Sequence, residues 1–237
     1  MTKRQIVIGD IHGHFHALRA LLNFMEPTQD DQIYFLGDLI DRGPHSNKVV
    51  ELVMEHNYAC LRGNHEEMLL DTIASHDWNS EIAQAWLKSG GNQTITSYRG
   101  EIPAHHLEWI AQLPHYIDLG DYWLVHAGVD PEKPLTEQDS EQFCWVRNIF
   151  HYHPEAYFPN KTIITGHTLT FNFPKAKPGQ IVGGPGWLCI ETGVYHRYSG
   201  WLTALDLNSQ EVYQFCVQTR KKRKLPLEEI LVTLSPK

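Results

Sequence analysis

Five short polar motifs, each directly after a run of apolar residues, constrain this chain more than any other feature. They are Gly9-Asp10-Ile11-His12-Gly13, Gly37-Asp38-Leu39-Ile40-Asp41-Arg42-Gly43, Gly63-Asn64-His65-Glu66, His126-Ala127-Gly128 and Gly166-His167-Thr168. The preceding residues are β-branched or aromatic, as in buried strands. Because open α/β sheets place their sites beyond the carboxyl ends of strands, the motifs predict one shared site.

The order of apolar patterns predicts an α/β fold. Strand patterns at residues 5–9, 32–37 and 58–63 are each followed by a helix pattern, at residues 14–25, 46–55 and 66–73. Residues 74–120 are less regular, with helices expected at 82–87 and 105–113, and we interpret this stretch as a cap beside the site. Later strand patterns at 122–126, 162–166, 187–191, 201–207 and 211–217 predict a second sheet packed on the first. The interpretation is a single domain over 1–237, with a short C-terminal extension from about residue 219.

Composition excludes several classes of protein. The chain has 237 residues, of which 42% are hydrophobic and 20% charged, as in ordinary globular domains. A net charge of -8 argues against nucleic acid as the main partner, and the basic run at 220–224 is interpreted as a solvated segment. Four cysteines without a C-x-x-C pair argue against a zinc knuckle or a disulfide scaffold. With no signal-like or membrane-spanning run, a cytoplasmic protein without membrane contact is expected.

The first three motifs suggest metal ligands. Asp10 and His12 are two residues apart at a strand end, so in extended backbone their side chains point to the same side. An aspartate at a strand-to-helix junction can also be a simple helix cap, and this alternative applies to Asp10 and Asp38 alike. Capping does not explain Asn64, which again follows a strand and a glycine. Carboxylate, amide and imidazole groups together suit a hard or borderline divalent ion.

His126 and His167 complete this set. Taken singly, each is more often a structural histidine, but their position after three acidic or amide corners favours ligation. Two carboxylates, one amide and three imidazoles supply a charge of -2 against +4 for two divalent ions. The surplus positive charge would attract a phosphate dianion and stabilise hydroxide, and two ions could clamp the attacking and departing oxygens.

Four further residues suggest phosphate chemistry. Arg42 can bind two phosphate oxygens with its planar guanidinium group, and Arg147 can do the same, although a surface ion pair is the alternative for Arg147. His65, next to a ligand, can donate a proton to a departing alkoxide if a carboxylate raises its pKa. Asp41 is the natural carboxylate for that role.

The motifs GD-x-HG, GD-x-x-DRG and GNHE, in this order and spacing, resemble the phosphoprotein phosphatase family of calcineurin-like metallophosphoesterases. The sequence is most similar to the small bacterial and phage-lambda-type serine/threonine protein phosphatases. That similarity includes Trp86-Leu87 before Gly90-Gly91, Trp145-Val146-Arg147 and Glu191-Thr192-Gly193. The resemblance covers roughly the first 200 residues. It implies a four-layer α/β/β/α sandwich of two mixed sheets with a dinuclear centre, often of manganese, with iron or zinc as alternatives.

The resemblance also implies a role for each site residue. It assigns the first metal to Asp10, His12 and Asp38, and the second to Asp38, Asn64, His126 and His167, with Asp38 bridging. It assigns phosphate binding to Arg42 and Arg147, and general acid catalysis to His65 oriented by Asp41. The expected activity is hydrolysis of phosphomonoesters by a hydroxide on the two metals. The expected partners are a phosphorylated protein or peptide and, in vitro, small phosphoesters.

Two other functions stay open. A symmetrical diadenosine tetraphosphate hydrolase would use the same metal set, but that sister group usually lacks the acid at the position of Asp41 and ends its third motif in Asp. Asp41 and Glu66 therefore favour a serine/threonine phosphatase, with dual specificity for tyrosine left open. A binding module without activity should have lost a ligand, and no expected ligand is missing here. Fold alone does not decide between these functions.

Overall fold

The computed structural model describes residues 3–234, which contain twelve strands and nine α-helices. The strands are β1 (Gln5–Ile8), β2 (Gln32–Phe35), β3 (Ala59–Cys60), β4 (Tyr116–Asp118), β5 (Tyr122–Val125), β6 (Thr162–Thr165), β7 (Ile181–Gly184), β8 (Trp187–Cys189), β9 (Trp201–Asp206), β10 (Glu211–Cys216), β11 (Lys222–Pro226) and β12 (Leu231–Thr233). The helices are α1 (Phe15–Met25), α2 (Ser46–Glu55), α3 (Asn64–Ser75), α4 (Glu81–Trp86), α5 (Asn92–Ser97), α6 (Ala104–Ala111), α7 (Ser140–Trp145), α8 (Asn148–His151) and α9 (Leu227–Ile230). None of the helices within residues 3–234 is both long and apolar enough to cross a membrane.

The strands form two mixed six-stranded sheets. The first has the order β11-β10-β9-β1-β2-β3, and the second has the order β12-β7-β8-β6-β5-β4. In the first sheet β1, β2 and β3 are parallel, while β9 and β10 run antiparallel to their neighbours. In the second sheet β5, β6 and β8 are parallel. The parallel strands at the centre of each sheet end at the same edge, and the polar motifs follow those ends.

Alternating side chains define the layers of the sandwich. Ile6 and Ile8 of β1 pack in one core with α1 and α2, whereas Val7 between them packs against the second sheet. Because both faces of β1 are covered, its sequence is a continuous apolar run. In the second sheet, Leu124 faces the first sheet and Trp123 packs outward with residues of α7 and α8. These contacts confirm the four-layer α/β/β/α sandwich.

The structure confirms the three βα units and a second sheet packed on the first, in which β5, β6 and β8 lie as expected. The assignment of residues 201–207 and 211–217 to that second sheet is wrong, because β9 pairs antiparallel with β1 and β10 pairs with β9, so both strands extend the first sheet.

The structure also adds strands that the apolar patterns did not indicate. Strand β4 pairs with β5, and β7 lies between β8 and β12. The C-terminal stretch supplies an edge strand to each sheet, because β11 pairs with β10 and β12 pairs with β7. Much of the basic run is thus the edge strand β11. Three predictions about domain organisation stay predictions: the single domain, the cap over residues 74–120 and the C-terminal extension.

Candidate active site

The loop after β1 places Asp10 beside His12 through a turn. His12 has a φ of 45°, so the expectation of extended backbone at this pair is wrong. The amides of Ile11 and His12 donate to the carbonyl oxygen of Asp38, at 3.0 and 2.8 Å, and these bonds bend the first loop onto the second. The two side chains still meet, with His12 Nε2 4.0 Å from Asp10 Oδ2.

Asp38 lies at the centre of the site. Its Oδ2 is 3.5 Å from His12 Nε2, and its Oδ1 is 3.4 Å from His126 Nε2. Each carboxylate oxygen therefore faces a different half of the site, which is the arrangement that a bridging ligand needs. Burial raises the pKa of Asp38, but the surrounding histidines outweigh burial and hold that pKa well below its ordinary value.

Asn64 joins the two later histidines. Its Oδ1 lies 3.1 Å from His126 Nε2 and 2.9 Å from His167 Nδ1. His126 Nδ1 donates to the carbonyl oxygen of Leu36 at 2.7 Å, so the lone pair of His126 is on Nε2 and faces the site. His12 repeats this arrangement, because its Nδ1 donates to the carbonyl oxygen of Ile40 at 3.0 Å.

This donor set fits divalent ions. The donors fall into two groups that share Asp38, one with His12 and His65 and one with His126 and His167, and within each group the ligand atoms lie within 4.8 Å of one another. Burial lowers the pKa of His12, His126 and His167, which favours the neutral ring, the form in which histidine binds a metal. His167 Nε2 is buried and has no hydrogen-bond partner among the described residues, a vacancy that a metal or a substrate oxygen would satisfy.

His65 also contacts this space, with Nε2 3.9 Å from Asp38 Oδ2. Geometry alone would allow it to bind a metal in place of Asp10. Burial lowers the pKa of His65, but the carboxylates of Asp38 and Asp41 raise it above its ordinary value. Those charges favour the protonated ring, which cannot bind a metal and can donate a proton.

Asp41 is fixed from three sides. Its Oδ2 lies 2.6 Å from His65 Nδ1 and accepts a hydrogen bond from Trp86 Nε1 at 2.8 Å. Its Oδ1 accepts from Thr94 Oγ1 at 2.6 Å. Trp86 and Thr94 belong to α4 and α5, so the predicted cap region orients the carboxylate that orients His65. All four side chains are buried.

Arg42 and Arg147 reach the site from opposite halves. Arg42 Nη1 lies 2.5 Å from His12 Nε2, and the guanidinium carbon lies 4.0 Å from the ring centre of Tyr195. Arg147 is exposed, and its Nη1 donates to the His167 carbonyl oxygen and to Thr168 Oγ1, both at 3.3 Å. Arg147 forms no ion pair with a carboxylate among the described residues, which argues against the alternative role in a surface ion pair.

Gly90 keeps Arg42 in place. The Arg42 amide donates to the Gly90 carbonyl oxygen at 3.2 Å, and a Cβ on Gly90 would lie only 2.7 Å from the Arg42 nitrogen. Gly90 also has a φ of 119°, which disfavours any other residue. A side chain here would push Arg42 away from the site.

Comparison with known proteins agrees with this geometry. The sequence pattern of "Calcineurin-like phosphoesterase" matches residues 3–175, well over half of the chain. The chain belongs to this family. Members depend on a dinuclear metal centre, and the two groups around Asp38 are candidate donors for such a centre.

Relatives of this chain carry two kinds of name. It is 41% identical over 87 residues to serine/threonine-protein phosphatase 1 of Salmonella typhimurium (36% of this chain, 38% of the relative). It is 31% identical over 140 residues to serine/threonine-protein phosphatase 2 of Escherichia coli (55% and 59%). It is 30% identical over 133 residues to a symmetrical bis(5'-nucleosyl)-tetraphosphatase of Vibrio cholerae (55% and 46%). The matches span less than two thirds of each relative's length.

A solved structure supports the fold. A crystal structure provisionally named a diadenosine tetraphosphatase superimposes with a TM-score of 0.63 and 21% identity, over 95% of this chain and 94% of that one. At this identity the match concerns the fold alone. It confirms the metallophosphoesterase sandwich.

Glu66 has a structural role that the sequence did not predict. Its carboxylate accepts hydrogen bonds from the amides of Asp38, Leu39 and Gly63, at 2.8, 2.9 and 2.9 Å. It thereby ties the second ligand loop of the phosphoesterase site to the third. Burial, with the nearby charge of Asp38, raises the pKa of Glu66 to about 7.

Glu191 and Tyr195 are further site residues whose roles were missed. Glu191 accepts from the amides of Asp10 and Gly193, at 3.2 and 2.8 Å, and burial raises its pKa to about 8. The Tyr195 ring lies edge-on to His12, with ring centres 4.7 Å apart. Both lie in the loop between β8 and β9. The sequence signal that could have indicated Glu191 is its position directly after an apolar strand.

Proposed function

We propose that the chain is a metal-dependent phosphomonoester hydrolase that removes phosphate from serine and threonine side chains of proteins, with phosphotyrosine as a further substrate. The observation that carries this proposal is the pair of His65 and Asp41, joined at 2.6 Å and buried. A serine or threonine alkoxide is a poor leaving group and needs a proton as it departs. A nucleotide phosphate departs readily without one, so this pair has most value in a phosphatase.

The proposed metal sites combine the family resemblance with the closeness of these donors. Asp10, His12 and Asp38 would hold one ion, and Asp38, Asn64, His126 and His167 would hold the other. When bound, two divalent ions activate water and neutralise phosphate charge. The mixed oxygen and nitrogen donors suit manganese, with iron or zinc as alternatives. Metal analysis of the purified protein identifies the native pair.

The remaining residues act on the phosphate and its leaving group. Arg42 and Arg147 bind the non-bridging oxygens from opposite halves of the site and align the ester. His65 donates a proton from Nε2 to the departing oxygen, while Asp41 holds Nδ1 and stabilises the protonated ring. Trp86 and Thr94 keep Asp41 aimed at His65. In this proposal, His65 donates its proton close to the arginines that bind the phosphate.

A second candidate is the hydrolysis of a dinucleoside polyphosphate. It is favoured by the Vibrio cholerae relative, whose name specifies a bis(5'-nucleosyl)-tetraphosphatase. The same metal and arginine positions would serve either substrate. The two functions differ in how much they need His65.

A parallel substrate comparison tests the proposal. Manganese-loaded protein is given phosphoserine, phosphothreonine and phosphotyrosine peptides, diadenosine tetraphosphate and an aryl phosphate, and kcat/KM is measured for each. We expect the serine and threonine phosphopeptides to exceed diadenosine tetraphosphate. The reverse order would transfer the assignment to the nucleotide enzyme.

A further inference from the structure

A separate group of metal-binding side chains joins α2 to α6. Glu51 of α2 lies beside His105 and His106 of α6, with one ligand atom from each within 4.8 Å of the others. His106 Nε2 is 3.0 Å from Glu51 Oε2, and the two histidine ring centres are 4.5 Å apart. None of these residues belongs to the phosphoesterase site. The proposed activity does not use them.

We propose that Glu51, His105 and His106 form a third metal site that binds a borderline divalent cation such as Zn²⁺. Two imidazoles and one carboxylate are a common zinc donor set, with water as the fourth ligand. The side chain of Glu51 is 53% exposed and His105 is exposed, so both can close onto an ion with little repacking. His106 is buried and supplies the fixed point.

Tyr98 supports the fixed ligand. Its hydroxyl lies 2.8 Å from His106 Nδ1. Because a hydroxyl both donates and accepts, it can accept a hydrogen bond from the protonated Nδ1 and leave the lone pair of Nε2 for the metal. Metal-binding histidines commonly have such a partner on their second nitrogen. Burial lowers the pKa of His106, which favours the neutral ring.

The local charges admit a cation. An open cavity of about 430 Å³ adjoins the cluster, and its charged lining includes Glu51 and Glu55 together with Arg19 and Lys48. The two acids balance the two bases before any ion enters. Among the described residues, Glu51 has no ion pair with a lysine or arginine, so its carboxylate is available.

A second donor group is less suitable. Glu67, His115 and Cys144 also lie close together, but Arg62 Nη1 already holds Glu67 Oε1 at 3.0 Å and would repel a cation. The Cys144 thiol is buried, and burial raises its pKa, so the thiolate that binds zinc is disfavoured. The proposal therefore applies to the cluster between α2 and α6.

A metal at this cluster would fasten α6 to α2. Tyr98 directly follows α5, the helix whose Thr94 binds Asp41. A bound ion would therefore stabilise the region that also orients the proposed acid pair. This consequence does not depend on which phosphoester the enzyme hydrolyses.

Zinc binding tests the proposal directly. Equilibrium dialysis with elemental analysis measures zinc per chain in wild type, in His105→Asn and in Glu51→Gln/His105→Asn. We expect both variants to bind one zinc ion fewer than wild type, with unchanged aryl phosphatase activity. Equal stoichiometry in wild type and variants would overturn the proposal.

A matched control and a supporting variant complete the test. His16 and His45 form another histidine pair, with ring centres 5.1 Å apart, so His16→Asn/His45→Asn should keep the full zinc count. Tyr98→Phe should weaken zinc binding about 10–100-fold by removing the partner of His106. Zinc should raise the Tm of wild type more than that of His105→Asn, which loses no hydrogen bond of a buried group. An equal rise in both proteins would contradict a site at His105.

Discussion

The two halves of the active site are built in different ways. The first half, residues 9–66, has its ligand loops tied to one another through their backbones and through the carboxylate of Glu66. The second half contributes single residues that form hydrogen bonds to the first half. His126 Nδ1 donates to the Leu36 carbonyl oxygen, and the His167 amide donates to the Asp10 carboxylate at 3.1 Å. The first half therefore acts as the frame for the second.

The two halves belong to different sheets, so the site lies at the junction of the two sheets. Leu36 follows β2 of the first sheet, whereas His126 follows β5 of the second. The core between the sheets, which includes Val7, Leu36 and Leu124, sets the distance between the two ligand groups. The spacing of the candidate metal ligands thus depends on how the sheets pack, in addition to the local motifs.

The largest effect is expected at Asp38, the residue that faces both halves. Asp38→Asn removes the charge shared by the two metal positions, so metal content and activity should fall together. We expect a loss of about 10³–10⁴-fold in kcat/KM, since metal catalysis supplies several kcal/mol. Metal analysis and steady-state kinetics measure the two effects.

Asp118→Asn is the control for this variant, because Asp118 is an exposed aspartate that forms an ion pair with Lys161 and has no part in the proposed site. It should retain both metals and full activity. If Asp38→Asn kept two metals per chain, the bridging role would be wrong, and the halves would bind their ions independently.

His65→Asn should lower kcat about 10²–10⁴-fold on phosphoserine peptides while the metals stay bound, because only proton donation is lost. The loss should shrink on an aryl phosphate, whose phenolate departs without a proton. Asp41→Asn should give a milder form of the same pattern. Kinetics on both substrates, with metal content, test the prediction. Loss of metal, or equal losses on both substrates, would make His65 a ligand of the first half.

Variants of the two arginines compare how much each half of the site contributes to phosphate binding. Arg42→Ala should lower kcat/KM by about 10–100-fold, and Arg147→Ala by about tenfold, because Arg42 is packed against Tyr195 while Arg147 is exposed. Both variants should raise KM and keep their metals. Lysine at either position should restore only part of the activity. Wild-type kinetics for Arg147→Ala would leave phosphate binding to the first half alone.

The smallest effect concerns the stability of the core that packs on the outer face of the second sheet. His151 is buried beside Trp187, and burial lowers its pKa to about 4. Since the unfolded chain binds a proton near pH 6.5, this residue's contribution to stability is present above that pH and is lost as the pH falls towards 4. We expect the free energy of unfolding to drop by about 1–2 kcal/mol more between pH 7 and 5 in wild type than in His151→Leu. Denaturant titrations at both pH values measure it, and parallel slopes would contradict the shift.

Local signals made the first half of the site predictable. Strand, glycine and acid follow one another along the chain, so Asp10, Asp38 and Asn64 could be chosen from short motifs. The geometry of the first pair was less predictable, because the left-handed turn at His12 depends on bonds to the distant Asp38 loop. The choice of Asp10 and His12 as ligands stays a prediction, and both backbone geometries bring the two side chains close together.

Contacts between distant residues were beyond the sequence argument. Glu191 bonds to an amide 181 positions earlier, and Glu51 meets His106 across 55 positions. No pattern in either segment specifies the partner. The strands β4, β7 and β12 were missed for a related reason, because their pairing depends on neighbours in the sheet more than on their short sequences.

Several residues of the site occupy a backbone region that ordinary side chains avoid. His12, Asp38, Asp41, Arg42 and His167 have φ values of 45°, 50°, 72°, 64° and 59°. Each such residue costs on the order of 1–3 kcal/mol unless its surroundings compensate. Glycine at these positions would relax the chain while removing the chemistry. Selection for thermal tolerance alone would therefore tend to erode this site first, and a stabilised variant should be screened for turnover before its melting temperature is taken as a gain.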